Sequence, residues 1–280
     1  MSDAPTSAPG DAPDYVIHAI RYAHDPHRRV AENFLPPLTE PLDQHDSPMP
    51  MDFFVWAITG GGRTIVLDTG FDETGAAKRG RQIVFPVAEG LKAVGVEPGA
   101  VSEVVLSHMH WDHAGNNDLF PGARYHVQDR EMAFCTGRCM CHAFVRRPFE
   151  VEDVTAMVRR IHAGSVQFHD GVGEIAPGIT AHLVGGHSKG LQVLRVRTAR
   201  GWVVLASDAS HYYANMEAMR PFPLAVDVTE MLDGFAAARA LASSPDHVIP
   251  GHDPEVLRRY PPSRDGLPHA VRVDLPPVAR

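Results

Sequence analysis

Lysine is nearly missing from this chain: it stands only at positions 78, 92 and 189, and arginine supplies the rest of the 26 basic residues. We read that imbalance as codon usage rather than mechanism. Cysteine is as sparse, with Cys135, Cys139 and Cys141 in 280 residues. An odd, thinly spread set makes a poor disulfide framework and fits a reducing compartment. No apolar run approaches the roughly 20 residues that a bilayer-spanning helix needs, so no membrane partner is expected. Residues 1–14 are rich in Ala, Pro, Ser and Asp and lack both a basic start and an apolar stretch, unlike a secretory signal. A disordered tail is expected there, followed by one domain over 15–280. Positive charge is also in deficit. With 34 acidic against 26 basic residues the net charge is −8, which argues against a nucleic-acid partner. The expectation is a soluble, cytoplasmic protein.

What is present suffices for a core, since 44% of the residues are hydrophobic. Strands are predicted at 15–20, 52–58 and 64–68, the last two joined by the turn Gly60-Gly61-Gly62. Between the first two lies a Pro- and His-rich segment, 23–50, of the length that functional lids have. Helical spacing covers 85–94, 128–134, 151–162 and 227–243. Further strands are predicted at 101–106, 124–127, 165–169, 179–184, 191–198, 202–206 and 247–250, with a short helix at 254–260. Two blocks, each of strands followed by helices, predict a layered α/β sandwich rather than a doubly wound parallel sheet.

The densest chemistry lies in Ser107-His108-Met109-His110-Trp111-Asp112-His113, at the end of the 101–106 strand. Imidazole and carboxylate are the ligand types of zinc and similar metals. In an extended segment His108 and His110 point to one side and can share an ion. Asp112 and His113, past the bend, face a second. Such a site needs more ligands than this segment holds, and three later strand ends offer them. Gly185-Gly186-His187 follows the 179–184 strand. Asp208 ends the apolar run Val203-Val204-Leu205-Ala206, where an unpaired carboxylate is costly to bury without a cation. Gly251-His252 ends the 247–250 strand.

This set resembles the metallo-β-lactamase superfamily, whose pattern is His-x-His-x-Asp-His followed by a His, an Asp and a His. The likeness runs from Asp68, in Val66-Leu67-Asp68-Thr69-Gly70, to His252. The Gly-Gly-His-Ser turn and the Asp-Ala-Ser segment at Asp208 are most similar to the N-acyl-homoserine lactonase branch. The resemblance implies an αββα sandwich of two mixed sheets packed face to face, with helices outside. It also implies two Zn2+, or Fe, Co or Mn in their place. His108, His110 and His187 would hold one, Asp112, His113 and His252 the other, and Asp208 would bridge. Two ions about 3.5–4 Å apart share a hydroxide that attacks a carbonyl at neutral pH. Asp112 would then move the proton to the leaving oxygen. Asp68 is read as a supporting carboxylate that orients ligands.

The expected activity is opening of a lactone ring, with a small lactone or ester as the partner and an acyl-homoserine lactone first among them. The lactonase branch usually carries a Tyr three residues after the bridging Asp, to hydrogen-bond the carbonyl. Here that place is His211, followed by Tyr212 and Tyr213. We favour Tyr212 over His211 for the role. The alternative is hydrolysis of another ester or a thioester, as in glyoxalase II, although only 28 residues follow His252. Asp208 rather than Cys argues against β-lactam hydrolysis, the charge against an RNA phosphodiesterase, and the intact second set against single-iron redox chemistry. The three cysteines are read as free thiols in a helical cap, not a metal site, and His24, His27 and His45 as solvated loop residues. Phe34, Leu35, Met49, Met51 and Phe53, with Phe134, Phe144 and Phe149 opposite, are read as core or as walls of an acyl channel.

Overall fold

The computed structural model describes residues 12–35 and 46–278. The first sheet draws on β1 (Val16–Asp25), β2 (Met51–Gly60), β3 (Arg63–Leu67), β4 (Gln82–Ile83), β5 (Glu103–Val105), β6 (Arg124–Gln128) and β7 (Val166–His169). The second draws on β8 (Val172–Ala176), β9 (Ile179–Leu183), β10 (Gln192–Thr198), β11 (Gly201–Ser207) and β12 (Val248–Pro250), after which β13 (Ala270–Arg272) returns to the first. The strand order is β13-β1-β2-β3-β5-β6-β7 in one sheet, with β4 on β1, and β12-β11-β10-β9-β8 in the other. Both are mixed: β3, β5, β6 and β7 run parallel, as do β11 and β12, while the remaining neighbours are antiparallel.

β2 explains why residues 53–58 read as an unbroken apolar run. Phe54, Trp56 and Ile58 point into the core between the sheets, which they share with Leu194 and Val196 of β10 and Val203 of β11. Phe53, Val55 and Ala57, on the opposite face, join a second core with Val66, Val104 and Leu106 under the helix Val87–Ala93. A strand alternates its side chains, so one covered on both faces must be apolar throughout. β11 has the same reason for Val203-Val204-Leu205-Ala206, because Met231, Phe235 and Ala238 of the helix Val228–Leu241 share its core. Full burial of each large apolar side chain contributes about 1.5–3 kcal/mol.

The predicted strands and long helices are all present, with ends shifted by a few residues. β1 runs on to Asp25, past the predicted end at residue 20, because β2 and β4 flank it there. Pairing with β2 also overturns the reading of His24 as a solvated loop residue: its Nδ1 lies 2.5 Å from Oδ1 of the buried Asp52. His27 is exposed, as expected. His45 and most of the expected tail, residues 1–11, lie outside the described residues. β4, β8, β13 and the helices Glu73–Arg79, Ala143–Arg146 and Tyr213–Glu217 are additions to the predicted elements. Among the described residues no helix is long and apolar enough to cross a membrane.

Candidate metal centre

β3, β5, β11 and β12 all end at the same edge of the sandwich, and the polar residues that follow them meet there. Asp68 follows β3 and Ser207 ends β11, each with left-handed backbone, φ 61° and φ 44°. Between them the Asp68 carboxylate gathers four donors. Oδ1 accepts Ser107 N at 2.7 Å, and Oδ2 accepts Ser107 Oγ at 2.9 Å, Ser207 Oγ at 3.1 Å and His113 Nδ1 at 2.8 Å. Asp68 is thus a support beneath the ligand set, with its oxygens committed to the segment that carries the histidines.

Three other rings, those of His108, His187 and His252, are fixed in the same way, by a bond at Nδ1 that leaves Nε2 facing inward. His187 Nδ1 donates to Leu224 O at 2.7 Å, and His252 Nδ1 to Asp52 O at 2.8 Å. His108 Nδ1 lies 3.0 Å from Ser107 Oγ. Gly186 gives His187 its approach: φ is 82°, and an added Cβ would sit 2.5 Å from Met231 Cα. Only glycine takes that conformation in that space.

The seven residues singled out in the sequence come together. His108, His110 and His187 form one group with ligand atoms within 4.8 Å of one another, and Asp112, His113 and His252 form another. Asp208 lies between them. Its Oδ2 is 3.2 Å from His187 Nε2 and 4.0 Å from His108 Nε2, while its Oδ1 is 2.9 Å from His252 Nε2 and 3.3 Å from His113 Nε2. One carboxylate oxygen therefore faces each group. Asp208 Oδ1 and His113 Nε2 are nonetheless buried without a hydrogen-bond partner. Leaving such atoms unpaired costs free energy, and a cation bound among them removes that cost. The donor set fits divalent metal.

Charge tells the same way. Burial, and then the neighbouring imidazoles, hold His108 well below its ordinary pKa, and burial does the same for His110. Both rings are neutral, the form that ligates metal. Burial also lowers His113, but Asp208, Asp112 and Asp68 outweigh it and raise the ring well above the ordinary value. Burial raises Asp208, and His252, His113 and His211 outweigh that to hold it well below the carboxylate range. Three carboxylates at one buried place favour a cation.

Tyr212 does not take the role favoured for it. Its hydroxyl donates to Pro50 O at 3.2 Å, its ring is buried in the core beneath β2, and the residue does not line the cavity over the centre. Residue 213 starts a helix, and the extended backbone of Tyr212 turns its side chain from the site. His211 does line the cavity, with its ring stacked on Phe222 at 3.5 Å between centroids. Burial keeps its pKa well below the ordinary value, so the ring is neutral and has one proton. Nε2 lies 2.9 Å from Asp208 Oδ2, and that carboxylate accepts a hydrogen bond from the ring N–H. Nδ1 is buried and unpartnered.

Glu131 escaped the sequence reading. This buried carboxylate accepts Met109 N at 2.8 Å, Ser188 Oγ at 2.6 Å and Gly190 N at 2.9 Å, tying the His108–His110 segment to the His187 turn. It lies in the helix Asp129–Cys135, predicted over 128–134, where an acidic residue gives no signal of such a task. The three cysteines are unpaired, as expected, and Cys135 is buried. Met51 and Phe53 line the cavity over the centre, while Phe134, Phe144 and Phe149 line an apolar cavity beside it. Phe34 instead lies under Arg220.

This chain belongs to the metallo-beta-lactamase superfamily, whose sequence pattern matches residues 53–252. It is 32% identical over 133 residues to the N-acyl homoserine lactonase AiiA of Bacillus thuringiensis subsp. kurstaki, a stretch covering 47% of this chain and 48% of that protein. The chain thus spans about half the length of those relatives. To the N-acyl homoserine lactonase AttM of Rhizobium radiobacter it is 26% identical over 232 residues, 77% of this chain and 86% of that one. A solved quorum-quenching N-acyl homoserine lactone lactonase shares the fold with a TM-score of 0.68 at 22% identity, over 86% of this chain and 92% of that chain. AidC, a dizinc quorum-quenching lactonase, does so with 0.64 at 16% identity, over 86% and 88%.

Proposed function

We propose that this protein is a metal-dependent hydrolase that opens a lactone ring, with N-acyl-homoserine lactones as the class to test first. The observation that carries the reading is Asp208, one oxygen toward each of two ligand groups. The lactonases among its relatives support the substrate class. We assign His108, His110 and His187 to one divalent ion and Asp112, His113 and His252 to another, with Asp208 shared and zinc the expected metal. Ions bound there supply Lewis acidity, which activates water near neutral pH and polarises the carbonyl.

The chain's own residues do the rest. Met51, Phe53, Trp111 and Pro148 wall the cavity and keep bulk water from the reacting bond. Asp112 lines the same cavity and is 12% exposed at its side chain, so it can reach the substrate. Its carboxylate takes the proton released as water attacks and returns it to the leaving ring oxygen. Tyr22 holds the segment in place by donating to Asp112 O at 2.8 Å. His211 keeps Asp208 in register through the bond at Nε2. We take residues 15–280 as one domain, because β13 near the chain end pairs with β1. The unpaired cysteines support a cytoplasmic setting.

Elemental analysis of the purified protein should find close to two divalent ions per chain. Hydrolysis of N-hexanoyl-homoserine lactone should stop on exhaustive chelation and return when zinc is restored. Full activity in metal-free protein would end the reading.

A further inference from the structure

The space over the metal centre has two arms. One cavity of about 260 Å³ is lined by Arg28, Arg79, Arg81 and Arg147 together with the centre itself. The other, of about 150 Å³, is apolar, with walls of Phe134, Val145, Phe149 and Val226. His110, Phe144, Pro148 and Leu224 line both, so the arms meet over His110.

Apart from residues of the metal centre and its neighbour His211, the charged side chains on the larger wall are these four arginines and Glu32. That excess of positive charge stands out on a chain of net charge −8. Arg79 pairs with Glu150 at 2.5 Å and Arg81 with Asp25 at 3.1 Å, through carboxylates that do not line the cavity. Nε of both arginines is buried and has no hydrogen-bond partner. Arg28 donates to Asn33 Oδ1 and to the Glu32 carbonyl. Among the described residues, neither Arg28 nor Arg147 has a carboxylate partner. Glu32 caps its own turn by accepting Arg29 N at 3.0 Å.

An alkyl tail gains little from such a wall. A carboxylate gains charge-assisted and bidentate hydrogen bonds from guanidinium groups, and a cationic mouth draws it in from solution. We propose that the arginine-lined arm selects lactones that carry a carboxylate on the part of the molecule remote from the ring. The scissile carbonyl then lies over the histidine and aspartate centre, and the anionic end lies among Arg28, Arg79, Arg81 and Arg147. The inference rests on the lactonase reading above.

A matched pair of substrates tests it: N-succinyl-homoserine lactone and its uncharged isostere N-(4-methylpentanoyl)-homoserine lactone. With the metal-loaded enzyme at low salt, kcat/KM for the succinyl compound should be about tenfold higher or more. The ratio should shrink as salt is added. Arg28→Gln and Arg147→Gln should each lower the ratio several-fold; Arg147 is exposed, so its replacement leaves the fold intact, which a melting curve checks. If both lactones are opened but the ratio is one or below, or moves with neither salt nor substitution, the inference is overturned and the lactonase reading stands. If neither lactone is opened, the lactonase reading falls and takes the inference with it.

Discussion

Ser207 Oγ donates to Asp68 Oδ2 across 3.1 Å, joining two residues that both hold left-handed backbone at the ends of strands in opposite sheets. The bond ties the first sheet to the second directly beneath the candidate metal centre. A non-glycine residue in that conformation costs roughly 1–3 kcal/mol, and persists where its surroundings hold it. Here the four donors to Asp68 do so, and the same carboxylate fixes the His113 ring.

Asp68→Asn should therefore weaken the centre more than the fold. Asn tolerates left-handed backbone, but its amide group meets donors where the carboxylate accepted them. Metal affinity should fall about 10- to 100-fold in competition with a chelator. An affinity within twofold of the parent protein would refute the orienting role.

Glu131→Ala should act on stability first. It leaves Met109 N, Ser188 Oγ and Gly190 N buried without their acceptor. The expected cost is about 3 kcal/mol or more, read as a lower denaturant midpoint. Glu131→Gln, which keeps one acceptor oxygen, should lie between the two.

His211 and Tyr212 should separate in kinetics. His211→Ala frees Asp208 from its hydrogen bond and should lower kcat about tenfold or more, with His211→Gln, which keeps an N–H donor, recovering part of the loss. Tyr212→Phe removes the bond to Pro50 O and should cost about 1 kcal/mol of stability with kcat little changed. A large loss of kcat in Tyr212→Phe would show that the hydroxyl reaches the substrate after all.

Asp153 should make stability fall as pH rises toward neutrality. Burial, and then Glu150, Asp72 and Glu152, push its carboxyl up from 3.8 to about 7. A raised folded pKa means the folded state binds the proton more tightly, so stability declines between 3.8 and about 7 and stays reduced above. Asp153→Asn should raise Tm at pH 8, with the gain shrinking as pH falls toward 3.8 and below. An equal shift at both ends would refute the titration as its cause.

The ligand pattern and the strand positions were legible because they are local. A strand covered on both faces must be apolar where it is covered, as residues 53–58 of β2 and 203–206 of β11 are, and in β11 the apolar run gives way to Ser207 and Asp208 at the sheet edge. His108, His110, Asp112 and His113 lie within six positions, and His187, Asp208 and His252 each end a strand or follow one closely. Hydrophobic periodicity marks such ends without any knowledge of the partner sheet.

Other parts had no local mark. His24 looked like a loop residue until β2 brought Asp52 to it. Glu131 stands in a helix like any surface glutamate, and its three donors come from segments about 20 and 60 positions away. Composition likewise hides four arginines from three separate segments on one cavity wall.

The sequence by itself determined the layered fold, the ligand types and their order, because period and strand ends are properties of short stretches. Tertiary structure decided which way each side chain turns and which distant groups it meets. It placed one oxygen of Asp208 toward each ligand group, gave the cavity wall to His211, and buried the Tyr212 hydroxyl against Pro50. The physical reason is that a one-residue step in extended chain reverses a side chain's direction, and only packing against the rest of the molecule sets which of two neighbours faces the site.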